Sequence, residues 1–325
     1  MHSFAYSTVD DIDEAVSAAT PGSAFLAGGT TLIDLMKLEV LTPCTVVDIN
    51  ALPLHEITVD DHGITAGALA RMSDLAEHPT IRDDHRMIAE ALRAGASQQL
   101  RNMASIGGNL LQRTRCAYYR EVSSRCNRRT PGSGCAARAN ASRMDAVLGT
   151  SSDCIATHPS DLAVALVAAD AEVFLAGLDG RRSIRVADLY RLPGNTPHHE
   201  HTLRPRELIT SVGIPVPPSG ARSTYVKIRD RSSYEFALAS AAVRLVVEDG
   251  TIRDARIAVG GVATVPWRLA NVESALVGRT AEPADLSSAV ALAADGSQHT
   301  ERNAFKVPLL RQTILRAVTS VVSES

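Results

Sequence analysis

The stretch Phe25-Leu26-Ala27-Gly28-Gly29-Thr30-Thr31-Leu32 decides the reading of the fold, because a strand ends and a helix begins within it. Ser23 to Ala27 is a short apolar run, and Gly28-Gly29 turns the chain. Thr30 or Thr31 can then cap a helix whose apolar face is Leu32, Leu35, Met36 and Leu38. Upstream, Ile12, Ala15, Val16 and Ala19 form a helical stripe ended by Pro21-Gly22; downstream, Thr45 to Ile49 reads as the next strand. The N-terminal segment is thus a small β-α-β unit. Its glycine junction presents backbone N–H groups with no side chain in the way, so a diphosphate can approach closely. The Gly-x-Gly-x-x-Gly spacing is absent, which disfavours a Rossmann nicotinamide site.

A second turn of the same kind, Ser105-Ile106-Gly107-Gly108-Asn109, adds a hydroxyl and an amide. One Gly-Gly turn is most often only a tight turn, but two in one domain could grip both phosphates of one dinucleotide. Between the turns, residues 57–69 read as a hairpin and 83–94 as one helix. Farther on, Ser160-Asp161 caps an apolar helix running to Ala169, and strands are expected at 171–175 and 207–214. Pro215-Val216-Pro217-Pro218-Ser219-Gly220 sustains neither helix nor central strand and is the best domain boundary. Beyond it, residues 222–229, 237–248 and 251–259 read as antiparallel strands, the last two turned at Asp249-Gly250, with helices closing the chain, the last over 307–322.

The 325 residues suffice for two or three packed lobes, and 45% apolar with 21% charged residues is ordinary for a globular chain. A net charge of −3 and 4% aromatics argue against nucleic-acid binding. No signal peptide is evident and no run approaches a membrane span, so the expected compartment is cytoplasmic, with co-export beside a twin-arginine partner as the alternative. Four of the five cysteines, Cys116, Cys126, Cys135 and Cys154, share a loop broken by Thr130-Pro131-Gly132-Ser133-Gly134. Four thiolates on such a loop suit an iron–sulfur cluster or a structural zinc. Arginines at 113, 115, 120, 125, 128, 129, 138 and 143 crowd the same stretch and are expected to offset the cluster's negative charge. Cys44 reads as a small buried or half-buried residue, and His198-His199-Glu200-His201 as a solvated polar loop rather than a chelate.

Taken together, Ala27-Gly28-Gly29-Thr30-Thr31-Leu32, Ser105-Ile106-Gly107-Gly108-Asn109 and His158-Pro159-Ser160-Asp161-Leu162 resemble the FAD-binding medium subunit of the molybdenum hydroxylases, the xanthine dehydrogenase family. The resemblance covers essentially the whole chain. It implies an α+β fold: an FAD-binding domain of two α/β subdomains (PCMH-type) over 1–216, then a C-terminal antiparallel sheet with helices over 221–325. It also implies FAD contacts from Phe25, Leu26, Ala27, Gly28, Gly29, Thr30, Thr31 and Leu32, and from Ser105, Gly107, Gly108 and Asn109. Ser160, Asp161, Ile209 and Lys227 match further FAD-contacting positions, while Arg231, Tyr234 and Glu235 fall where the family places residues near the flavin ring. Most members lack the cysteine loop. Its presence at about 113–154 resembles the branch that adds a [4Fe-4S] cluster, with Cys116, Cys126, Cys135 and Cys154 as ligands and the aldehyde oxidoreductase type as the nearest match.

That resemblance implies an electron-transfer subunit of an oxidoreductase, with no catalytic residue of its own for substrate oxidation. Its partners would be a large molybdenum-cofactor subunit, a small subunit with two [2Fe-2S] clusters, and an external electron acceptor. Flavin subunits of the xanthine dehydrogenase or hydroxybenzoyl-CoA reductase type are the alternatives within the family. A zinc-stabilised four-cysteine binding module is the alternative outside it.

Overall fold

The computed structural model describes residues 1–324, which form three sheets. The first is parallel: β1 (Ala5–Thr8), β2 (Ser23–Leu26) and β3 (Thr45–Asp48) lie in the order β1-β3-β2. Helix Ile12–Ala18 starts at Asp11, whose side chain accepts from the Glu14 N–H, and helix Leu32–Lys37 follows the first glycine turn. Val47, Leu52 and Ala15, buried together, hold this small unit on the rest of the chain through Leu69 and Leu208.

The second sheet is entirely antiparallel. Strands β4 (Ile57–Asp60), β5 (Gly63–Gly67), β6 (Glu172–Gly177), β7 (Gly180–Arg185) and β8 (Leu208–Pro215) take the order β4-β5-β8-β6-β7. The pairing of β5 with β8 joins segments far apart in sequence, and everything between β5 and β6 loops out of the sheet. The helix expected over 83–94 is broken: Pro79–Asp84 and Arg86–Ala94 are separate, because His85 leaves helical geometry at φ −124°, ψ 45°.

The third sheet is β9 (Ala221–Ile228), β10 (Ala239–Glu248), β11 (Thr251–Gly260) and β12 (Trp267–Arg268), antiparallel in the order β12-β11-β10-β9. Helix Lys306–Ser323 packs across it, burying Leu310, Ile314, Ala317, Val318 and Val321. Between the second and third sheets runs helix Asp161–Ala168, every residue of which is buried. A helix apolar on all sides has to lie inside, and this one welds the two lobes. Gly260 of β11 lies against Val164 of that helix so closely that a Cβ there would come within 2.6 Å of the Val164 side chain.

Residues 113–154 form no sheet. Two four-residue helices, Ala117–Arg120 and Ala136–Ala139, and two isolated bridges, Cys126 with Cys135 and Leu148 with Ala263, are the regular pieces in it.

Candidate functional site

The two glycine turns touch. A Cβ on Gly28 would stand 2.0 Å from the Met103 carbonyl oxygen, so only glycine lets the first turn close on the segment leading into the second. Gly29 has φ +70°, a left-handed conformation that favours glycine. In the second turn, Ser105 Oγ accepts from the Gly108 N–H at 3.2 Å, and Gly107 packs on Ala68. Asn109 Oδ1 in turn accepts from Ser160 Oγ at 2.6 Å, tying this turn to the cap of the buried helix.

Beside that cap lies a buried ion pair. Asp161 accepts from Lys227 Nζ at 2.8 Å and from the Tyr225 hydroxyl at 2.6 Å. Burial, then the Asp161 charge, pushes the Tyr225 phenol well above its ordinary pKa. Lys227 Nζ also donates to the Ala94 carbonyl at 3.1 Å, as does Arg229 at 2.9 Å, so cations cap the exposed carbonyl end of helix Arg86–Ala94. Glu90 of that helix accepts from the Tyr225 N–H and the Thr224 hydroxyl, which sets β9, and therefore Lys227, in register with the cleft.

Around these residues a cleft opens in two adjoining chambers of about 550 and 500 Å³, within the range of cofactor sites. Thr30, Thr31, Gly108, Asn109, Asp161 and Lys227 line the first, and Ser160 and Asp161 the second. Arg231 and Tyr234 border the first chamber, and Glu235 with Phe236 borders both. The other sequence-predicted positions shape the turns from behind. Phe25 packs into the N-terminal core, and the Leu26 and Ala27 carbonyls accept from the Asn50 side chain. Leu32 starts the following helix. Ile209 differs from its neighbours in that list: it is buried in the core of the second sheet and lines neither chamber.

Asp34, Arg115 and Arg120 also line the first chamber and were not singled out as cleft residues. The arginine positions in 113–143 were expected to offset charge at the cysteines, and most of them do something else. Arg120 is 2.8 Å and Arg115 3.5 Å from the Asp34 carboxylate, and Arg115 lies 5.2 Å above the Phe236 ring. Arg129 donates to the Tyr118 and Tyr119 carbonyls, Arg138 to that of Ser151, and Arg143 pairs with Asp230. Among the described residues, Arg128 is the arginine whose side chain donates to a cysteine sulfur, 3.6 Å from Cys154 Sγ.

All four loop cysteines line a single small cavity, together with Tyr119, Asn127 and Arg128. They are free thiols; Cys126 and Cys154 are buried, Cys116 and Cys135 half-buried. Burial pushes the Cys116 thiol up to about 11 and raises that of Cys135. Among the described residues, no three His, Cys, Asp or Glu side chains close on one point in the way a single metal ion requires. Cys44 lies elsewhere and is exposed, not buried as expected.

The 198–201 loop is only partly solvated: His199 is exposed, but its neighbours are half-buried. Glu200 pairs with Arg113 and, at 2.7 Å, with Arg128, and its side chain is 9% exposed. Burial works against its charge, but the two arginines hold its carboxyl below the usual range. His201 is pressed down to about 4 and His158 to about 3, both chiefly by burial. Tyr190 lies between the two rings, edge-on to His158 and tilted against His201, and donates its hydroxyl to the Leu110 carbonyl.

The site the fold presents is thus a cleft walled by two touching glycine turns, adjoining a cysteine-lined cavity. Residues 2–217 match the FAD binding domain in molybdopterin dehydrogenase, and residues 224–321 the CO dehydrogenase flavoprotein C-terminal domain. The chain belongs to this family of FAD-binding medium subunits of molybdenum hydroxylases, and is thus a subunit of an oxidoreductase complex. It is 46% identical over 333 residues to the aldehyde oxidoreductase FAD-binding subunit PaoB of Escherichia coli K12, covering 100% of this chain and 99% of the relative. It is 27% identical to the glyceraldehyde dehydrogenase medium chain of Sulfolobus acidocaldarius, over 85% of this chain and 82% of that one. Among solved structures, reconstituted CO dehydrogenase from Oligotropha carboxidovorans superposes with a TM-score of 0.78 at 25% identity, covering 100% of this chain and 99% of that one. Among the described residues no helix is long and apolar enough to cross a membrane.

Proposed function

We propose that this chain is the FAD- and [4Fe-4S]-bearing electron-transfer subunit of an aldehyde-oxidising molybdenum hydroxylase. The observation that carries the reading is the convergence of Cys116, Cys126, Cys135 and Cys154 on one cavity that shares Cys116 with the wall of the second cleft chamber. The likeness to the PaoB aldehyde oxidoreductase subunit over the full length supports the substrate class. The chain would work with a large subunit carrying the molybdenum cofactor and a small subunit with two [2Fe-2S] clusters. Its own residues divide at the Pro215–Gly220 segment into a flavin-binding part, 1–216, and a C-terminal part, 221–325.

The donor set, four thiols lining one cavity, has the soft-ligand chemistry that holds a cluster. Such a cluster would exchange single electrons, and FAD would accept electrons singly and release them in pairs.

The chain's part is to hold and tune these groups. The glycine turns keep side chains away from the diphosphate, and Lys227, fixed by Asp161 and Ala94, keeps a cation at the cleft wall. Arg128, fixed by Glu200, sets one positive N–H donor against Cys154, an arrangement that raises a cluster's potential. The test is composition: the purified complex should yield one FAD per chain. Iron and acid-labile sulfide should each reach about four in excess of the partner clusters. Serine at any of the four cysteines should remove that excess, and serine at Cys44 should not. Stoichiometric zinc with no extra sulfide would instead establish the zinc module.

A further inference from the structure

The cysteine loop supplies part of the flavin cleft. Arg115 and Arg120 lie close to Cys116 in sequence, and both line the first chamber with Thr30, Thr31 and Gly108, Arg115 lining the second as well. They share one partner, the Asp34 carboxylate, at 3.5 and 2.8 Å, so two guanidinium groups face a single negative charge. Arg115 Nε and Arg120 Nη1 are buried and have no hydrogen-bond partner. Buried donors left unpaired are costly, and paired guanidinium forks match phosphate oxygens in shape and charge.

We infer that Arg115 and Arg120 are diphosphate-binding residues of the flavin cleft, delivered by the cysteine loop, so that FAD retention depends on closure of that loop around its cysteines. The inference rests on the cleft and cluster readings above. The glycine turns supply neutral N–H donors, and the loop supplies the countercharge. Since binding couplings are reciprocal, FAD in turn should hold the loop closed.

The experiment uses the intact complex, resolved of flavin and titrated with FAD by fluorescence quenching, with iron and sulfide assayed alongside. R115Q/R120Q should weaken FAD binding by on the order of tenfold or more while keeping its iron and its partner subunits. The single variant R120Q should shift binding in the same direction by less, which covers the case of a double variant that does not assemble. D34N removes the competing carboxylate and should bind FAD at least as tightly as the parent.

C135S lies in the loop but touches neither chamber; it should lose both cluster iron and FAD. Parental FAD affinity in R120Q and R115Q/R120Q would overturn the inference, as would a loss in D34N matching the arginine variants, since the arginines would then only brace the helix that carries Asp34. C135S that loses iron but keeps parental FAD affinity would overturn the coupling to the loop. Gly108→Val tests the cleft itself: if it too keeps FAD, the cleft reading fails, and if it alone loses FAD, only this inference does. C135S that keeps its iron sinks the cluster reading, and the arginine variants still decide the inference.

Discussion

The flavin cleft and the cysteine loop face each other but are built by opposite means. The cleft walls are the ends of regular elements: the turn after β2, the capped starts of helices Ile106–Leu110 and Asp161–Ala168, and strand β9. Their backbone groups are satisfied within sheets and helices, so the geometry survives the change of many side chains. The loop has almost no such ladder. Scattered turn bonds hold its backbone together with side chains: Arg129 on the Tyr118 and Tyr119 carbonyls, Asn127 on the Gly134 N–H and the Asp153 carbonyl, and Glu200 clamping Arg113 and Arg128 from another part of the chain. Where regular structure is missing, buried ion pairs and arginine–carbonyl bonds take over its work, and single substitutions there should tell most.

The strongest way to break the comparison is Glu200→Ala, which leaves Arg113 and Arg128 facing each other without a counterion. Removing one partner of a buried pair costs about 3–5 kcal/mol. Chemical denaturation should show that loss, together with iron depletion, while a cleft variant of similar cost keeps its iron.

Acid should separate the two regions next. His201 packs against the Arg113 and Arg128 side of the loop and His158 against the second chamber wall, with pKa values of about 4 and about 3 against an ordinary value of 6.5. Both are neutral in the folded chain, whereas in the unfolded chain they take up protons as the pH falls through about 6.5. The unfolded state then binds more protons, so stability is lost on acidification, from about 6.5 down towards the folded values. The slope approaches about 1.4 kcal/mol per pH unit for each ring only below the unfolded pKa, so the pair should cost about 2 kcal/mol between pH 6.5 and 5.5. Unfolding midpoints against pH would show it, and His201→Asn should flatten the slope by about half.

Gly28→Val sharpens the other side. Its Cβ would meet the Met103 carbonyl, forcing the two turns apart, at a cost of about 1–3 kcal/mol for an overpacked contact. Flavin content should fall while iron remains, whereas the Glu200 variant, which opens the loop, should lose both. Cys44→Ser, exposed and remote from both regions, should change stability by less than about 0.5 kcal/mol and leave flavin and iron at parental levels.

Much of the cleft was legible in the sequence because it is local. Gly28-Gly29, Gly107-Gly108 and the Ser160-Asp161 cap carry their conformations in their own residue types, and β10 and β11 announce themselves through the Asp249-Gly250 turn between them. The helix expected over 83–94 misses its break at His85, since no glycine or proline marks the break itself. Ile209 stands in a strand next to the cleft by chain position, but its side chain faces the core of the sheet.

By itself, then, the sequence determined the glycine turns, the capped buried helix, the antiparallel C-terminal sheet and the grouping of four cysteines on one loop, all properties that depend on neighbours along the chain. Only the tertiary structure decided which distant strands pair, as β5 does with β8, and where long charged side chains end. Arg115 and Arg120 reach Asp34, while Arg113 and Arg128 reach Glu200. A guanidinium sits on a flexible stem several bonds long, and its partner is chosen by whichever carboxylate the fold brings within reach. A loop full of arginines therefore reveals its charge in the sequence and its targets only in three dimensions.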